Sequence, residues 1–131
     1  MIALDTNVLV RFLVADDEKQ NRRATELIEA AIQKDNALYV SDIVLVETVL
    51  VLSRSYQFTR QEIGGVLRKL LTARHLVFSA PDQIARALDA FEHGRGGFAD
   101  YLIREHAHHV GCDRIATFDQ ALLKENGFIK P

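Results

Sequence analysis

Four acidic residues, Asp5, Glu47, Asp100 and Asp119, are the side chains of this 131-residue sequence best suited to collective chemistry. Carboxylates forced close together repel, and some take up protons unless cations intervene. Oxygen-only ligands with retained waters suit Mg²⁺ or Mn²⁺. An ion held in this way lowers the pKa of water, orients a phosphodiester and stabilises the leaving oxygen. The chemistry expected of such a cluster is therefore in-line hydrolysis of a phosphodiester, with one or two ions. Thr6, Asn7 and Thr117 stand near these acids in the sequence. Their side chains either position water and ligands or make the ordinary hydrogen bonds of a helix start.

Taken singly, three of the acids have simpler readings. Asp5 and Asp119 each read as a helix N-cap, and Asp100 as a first-turn acid favoured by the helix dipole. Glu47 is harder to explain, because its helical neighbours Ile43, Val44, Leu50 and Val51 are all apolar. A carboxylate centred on a covered apolar face costs several kcal/mol to desolvate without a partner. Either a metal ion or a tertiary salt bridge from an arginine such as Arg54 would meet that need.

The elements that must position these residues follow from hydrophobic periodicity. Short apolar runs alternate with longer amphipathic ones, the pattern of an α/β chain whose parallel strands are joined by helices. Strands are expected at Ile2 to Leu4, Leu38 to Val40, Leu76 to Phe78 and Arg114 to Thr117, with Phe128 and Ile129 a short fifth. Helices are expected at Asp17 to Lys34, Asp42 to Tyr56, Thr59 to Ala73, Asp82 to His93 and Phe98 to Val110, several opened by Asp or Thr. Asp5 then follows the first strand, and Asp119 stands just beyond the fourth. Ligands of open parallel sheets bind beyond the carboxyl ends of the strands. The glycine cluster Gly94 to Gly97 is expected to free the entrance of the helix that carries Asp100.

Length and a 48% apolar content suit one globular domain over residues 1–131. No apolar run reaches membrane-spanning length, and no basic leader opens the chain, so a cytoplasmic protein without a membrane partner is expected. The single Cys112 rules out an intramolecular disulfide and disfavours thiolate metal binding. Sixteen Lys plus Arg against 18 Asp plus Glu give no footprint for a long duplex, while leaving room for a short RNA held partly through metal ions.

His106, His109 and Cys112 recur at intervals of three, but helical angles argue against a zinc site. With Asp100 at zero, Ile103 and Ala107 share its face. Tyr101, Glu105, His108 and His109 point to the opposite, solvated side, and His106 lies at the boundary. Arg95, among the glycines, and Arg11 are candidates for contact with RNA phosphates or are simply solvating. The apolar run Ile43 to Leu52 exceeds what one sheet-facing stripe needs, so part of it meets either the core or a second subunit.

Across nearly its whole length the sequence resembles the PIN domains, and within them the VapC-type toxins of toxin-antitoxin pairs. The resemblance is carried by Leu4, Asp5, Thr6, Asn7, Val8 and Leu9; by Val46, Glu47 and Thr48; and by Phe98 through Ile103. Gly111 and Cys112, then Ala116 through Asp119 and Leu122, complete it. It implies a five-stranded parallel sheet between helices and a Mg²⁺- or Mn²⁺-dependent endoribonuclease acting on structured RNA. It also implies a cognate antitoxin protein that blocks the acidic site, and a homodimer. By matching positions, Asp5, Glu47, Asp100 and Asp119 would surround the metal, with Thr117 and Asn7 supporting water or ligand geometry. One departure lowers the local charge: many relatives carry an acid where this chain has Gly97.

Two alternatives remain at this level. A haloacid-dehalogenase-type phosphohydrolase would use Asp5 as phosphoryl acceptor, but Asn7 stands where such enzymes carry a second aspartate. A non-catalytic PIN-like or receiver-like binding module would fit the length, yet would leave the acids without a purpose.

Overall fold

Short apolar runs closed off by capping residues account for most elements of the computed structural model, which describes residues 1–131. The chain divides into two compact units, Met1–Ser79 and Ala80–Pro131. It is an α/β protein in which every strand pairing is parallel. No helix is long and apolar enough to cross a membrane.

In the first unit, β1 (Ile2–Ala3), β2 (Leu38–Val40) and β3 (Leu76–Phe78) form one sheet in the order β1-β2-β3. Its register pairs Ile2 with Leu38 and Leu38 with Leu76. Parallel neighbours need long crossovers, and helices supply them. These are α1 (Thr6–Leu13), α2 (Glu18–Gln33), α3 (Asp42–Arg54) and α4 (Arg60–Thr72). Three of the four starts are capped by a side chain. Asp17 accepts from the Gln20 amide at 3.0 Å and Ser41 from the Val44 amide at 3.2 Å. Thr59 and Glu62 form a reciprocal capping box. Leu9, Leu38, Val40, Leu52 and Leu67 are almost wholly buried, each contributing roughly 1.5–3 kcal/mol by leaving water.

The second unit pairs α5 (Pro81–His93) with α6 (Phe98–His109) and β4 (Ile115–Ala116) with β5 (Phe128–Ile129). A 3₁₀ turn at Leu122–Lys124 precedes β5. Five parallel strands were expected in a single sheet; they form a three-stranded and a two-stranded sheet instead. Several are only two residues long, so few backbone bonds fix each pairing. Helix α1 is an element that the periodicity missed.

Candidate functional site

Asp5 leaves β1 and enters α1 with extended dihedrals, φ −79° and ψ 160°. It occupies the N-cap position without capping: its exposed carboxylate makes no hydrogen bond, so the cap explanation fails for this residue. The next side chain, Thr6, is 6% exposed, and its hydroxyl is buried without a partner. A buried polar atom left unsatisfied in this way calls for a ligand or water. Asn7 is exposed on the first turn of α1.

Glu47 corrects an expectation. Helix α3 buries Val44, Leu45, Thr48, Val49 and Leu52, whereas Glu47 is exposed between Ile43, 71% exposed, and Leu50, 41% exposed. The helix is apolar nearly all round, so apolar neighbours did not mark the covered side. Solvent removes the desolvation cost argued above, and no arginine neutralises the side chain. The buried polar residue here is Thr48, whose hydroxyl donates to the Val44 carbonyl at 2.7 Å.

In the second unit, Asp100 lies in the first turn of α6. One of its oxygens, Oδ2, accepts from the Gly97 amide at 2.9 Å, leaving Oδ1 available. Asp119 follows β4, and its Oδ1 accepts from the amides of Ala121 at 2.8 Å and Leu122 at 3.2 Å. The capping reading thus holds for one oxygen of Asp119 and leaves the other. Thr117 accepts from the Asp119 amide at 3.1 Å, so its hydroxyl shapes the turn that presents this acid.

Each unit supplies two of the four acids, and in neither do three Asp, Glu, His or Cys side chains gather as an ion-binding group. As donors they suit a hard divalent cation. All are carboxylates, Asp5 and Glu47 are uncommitted, and Asp100 and Asp119 each retain an oxygen.

The remaining candidates are more firmly placed. Arg11 donates to Asp16 at 2.9 Å and to Gln20 at 2.7 Å, and meets the Tyr56 hydroxyl at 3.4 Å, so its guanidinium is held within its own unit. Arg95 is exposed among the glycines. His106 hydrogen-bonds the buried Gln83, while His108, His109 and Cys112 are exposed. Tyr101, expected on the solvated side of α6, is instead fully buried, because its hydroxyl finds partners in Gly96 and Glu125. Glu125 was not singled out in the sequence; it lies 24 residues from Tyr101, and no local pattern marks it.

Residues 2–128 match the PIN domain family, a span that covers both units and all four acids. A VapC ribonuclease from Aquifex aeolicus (strain VF5) is 27% identical over 124 residues, 95% of this chain and 91% of that protein. This chain belongs to the PIN domain family.

Proposed function

We propose that this PIN domain is a Mg²⁺- or Mn²⁺-dependent endoribonuclease, the toxin of a VapBC-type pair. Its metal-holding acids would be Asp5, Glu47, Asp100 and Asp119. The observation that carries the reading is Asp5: an aspartate at a helix N-cap that spends neither oxygen on the helix, beside a buried Thr6 hydroxyl without a partner. The near full-length similarity to a VapC ribonuclease supports RNA as the substrate.

When bound, a divalent ion would supply a water of lowered pKa and neutralise charge on the phosphodiester. The chain's own contribution is to present and orient these carboxylates. Asp5 and Glu47 offer solvent-facing oxygens, Asp100 is held through one oxygen by the Gly97 amide, and Asp119 is fixed by two amides. Thr6, Asn7 and Thr117 would support ligand or water geometry, and Arg95 and Arg11 would lie near RNA phosphates. A cognate antitoxin, a homodimeric state and a cytoplasmic setting complete the reading. Exposed Ile43 and Leu50, flanking Glu47, support a protein partner on that face of α3.

The test is cleavage of structured RNA by purified protein with Mg²⁺ or Mn²⁺ and after chelation. Asp5→Asn and Glu47→Gln each reduce cleavage at least a hundredfold with the circular dichroism spectrum unchanged. Full activity in both variants, or in chelator, overturns the assignment. A covalent aspartyl-phosphate trapped on Asp5 would favour the phosphohydrolase alternative instead.

A further inference from the structure

The hydroxyl of Tyr101 is wholly buried and fully engaged. It accepts from the Gly96 amide at 2.9 Å and faces the Glu125 carboxylate, whose two oxygens lie 2.8 and 2.7 Å away. Tyr101 directly follows Asp100, and Glu125 ends the segment that begins with Asp119. The amide next to that of Gly96 belongs to Gly97 and donates to Asp100 at 2.9 Å. On the other side, Leu122, whose amide donates to Asp119 at 3.2 Å, packs tightly on Gly96. A Cβ at Gly96 would stand 2.5 Å from Leu122 Cδ2. The Arg104 guanidinium covers the Tyr101 and Phe128 rings at 5.2 and 5.4 Å and donates to the Asn126 carbonyl at 2.8 Å. The glycine turn before α6 and the segment after β4 are therefore joined through one buried phenol.

We propose that Tyr101 and Glu125 are positioning residues for Asp100 and Asp119, an inference that rests on the nuclease reading above. Phenylalanine would fill the same space without a polar atom to satisfy; the hydroxyl adds direction. Its charge-assisted bond to Glu125 and its acceptance of the Gly96 amide fix a turn that glycines would otherwise leave free. Fixing that turn sets the Gly97 amide against Asp100, and holding residues 121–125 sets the Ala121 and Leu122 amides that grip Asp119. Neither Tyr101 nor Glu125 touches substrate in this role, and both act through the two aspartates. Outer partners of this kind are worth roughly 10–100-fold in metal affinity or activity.

The test compares Tyr101→Phe, Glu125→Gln and Glu125→Ala with the wild type in full-length protein. Amide exchange of Gly96 and Gly97, followed by NMR without metal, accelerates about tenfold in Tyr101→Phe. In Mn²⁺-dependent RNA cleavage, kcat falls about tenfold or more and the half-saturating Mn²⁺ concentration rises, while KM for RNA stays within about twofold. Glu125→Gln retains an acceptor oxygen and recovers most of the kcat lost in Glu125→Ala. A lowered melting temperature with unchanged kcat and unchanged Mn²⁺ dependence would mean a packing contact only, and unchanged amide exchange would mean that no clamp exists; either result overturns the proposal. A wild-type protein that does not cleave RNA overturns the nuclease reading and, with it, the role given to Tyr101 and Glu125. An active wild type with unaffected variants overturns the positioning role alone.

Discussion

The Gly97 amide donates to the Asp100 carboxylate at 2.9 Å, so a candidate metal ligand also closes the first turn of its own helix. The two duties separate by substitution. Asp100→Asn keeps an acceptor oxygen and loses the charge that the helix dipole favours, at a cost of about 0.3–1 kcal/mol. Asp100→Ala loses both and is destabilised by about 1–2 kcal/mol. Cleavage is abolished in both. Urea unfolding with parallel cleavage assays reads the difference, and equal stability in the two variants would mean that the Gly97 bond contributes nothing.

Two glycines should respond in opposite directions to the same change. A Cβ at Gly96 meets Leu122 Cδ2 at 2.5 Å and the Tyr101 ring at 3.1 Å, whereas a Cβ at Gly65, on the exposed side of α4, meets nothing within 4 Å. Gly96→Ala overpacks and costs about 1–3 kcal/mol. Gly65→Ala gains about 0.5–1 kcal/mol, because the unfolded chain loses freedom and the helix gains a better former. Thermal unfolding of both variants checks this, and a neutral Gly96→Ala would mean that the Leu122 contact yields without cost.

The Tyr56 hydroxyl donates to Asp16 at 2.6 Å, joining the end of α3 to the loop before α2. That bond, helped by Arg11, holds the Asp16 carboxyl below its ordinary value of 3.8. The same bond to the carboxylate raises the Tyr56 phenol above its ordinary 10.0. A lowered folded-state carboxyl stabilises above its unfolded pKa and ceases to do so as pH falls through the folded value. A raised phenol stabilises below its unfolded pKa and ceases to do so as pH rises through the folded one. Tyr56→Phe is therefore less stable than the wild type between about pH 4 and pH 10, and the two converge at both extremes. Urea midpoints across that range test the claim; a constant difference from pH 3 to pH 11 would contradict it.

What the sequence made legible follows the reach of each signal. Leu38 to Val40 and Leu76 to Phe78 were readable because each is a short apolar run between polar boundaries, and α4 because Thr59 and Glu62 close its first turn locally. Helix α1 was not, since its eight residues span only about two turns and are separated from β1 by just two residues, too short a stretch for a 3.6-residue period to stand out. The exposure of Glu47 was illegible for a related reason: with valine, leucine and isoleucine all around α3, only tertiary packing decides which side is covered. The burial of Tyr101 depends on Glu125, and no spacing rule connects residues 24 apart across a turn and a strand. The four acids could be named from type and position, whereas the commitments of their individual oxygens required atoms.

Metal binding should be visible in stability before any RNA is added. A ligand that binds only the folded chain stabilises it by RT ln(1 + [L]/Kd), about 2.7 kcal/mol at a hundredfold excess over Kd. For a chain of 131 residues, between the size classes that gain about 4–8 and about 2–4 °C per kcal/mol, that amounts to a rise in Tm of roughly 10 °C. The quadruple variant Asp5→Asn, Glu47→Gln, Asp100→Asn, Asp119→Asn keeps side-chain shape and hydrogen-bond acceptors, so the turns at Gly97 and Leu122 survive while the charges go. Without metal it should unfold close to the wild type, since only the dipole interaction at α6, about 0.3–1 kcal/mol, is lost. With millimolar Mg²⁺ only the wild type should gain. Equal shifts in the two proteins would place the ion on other groups and remove these four residues from the proposed centre.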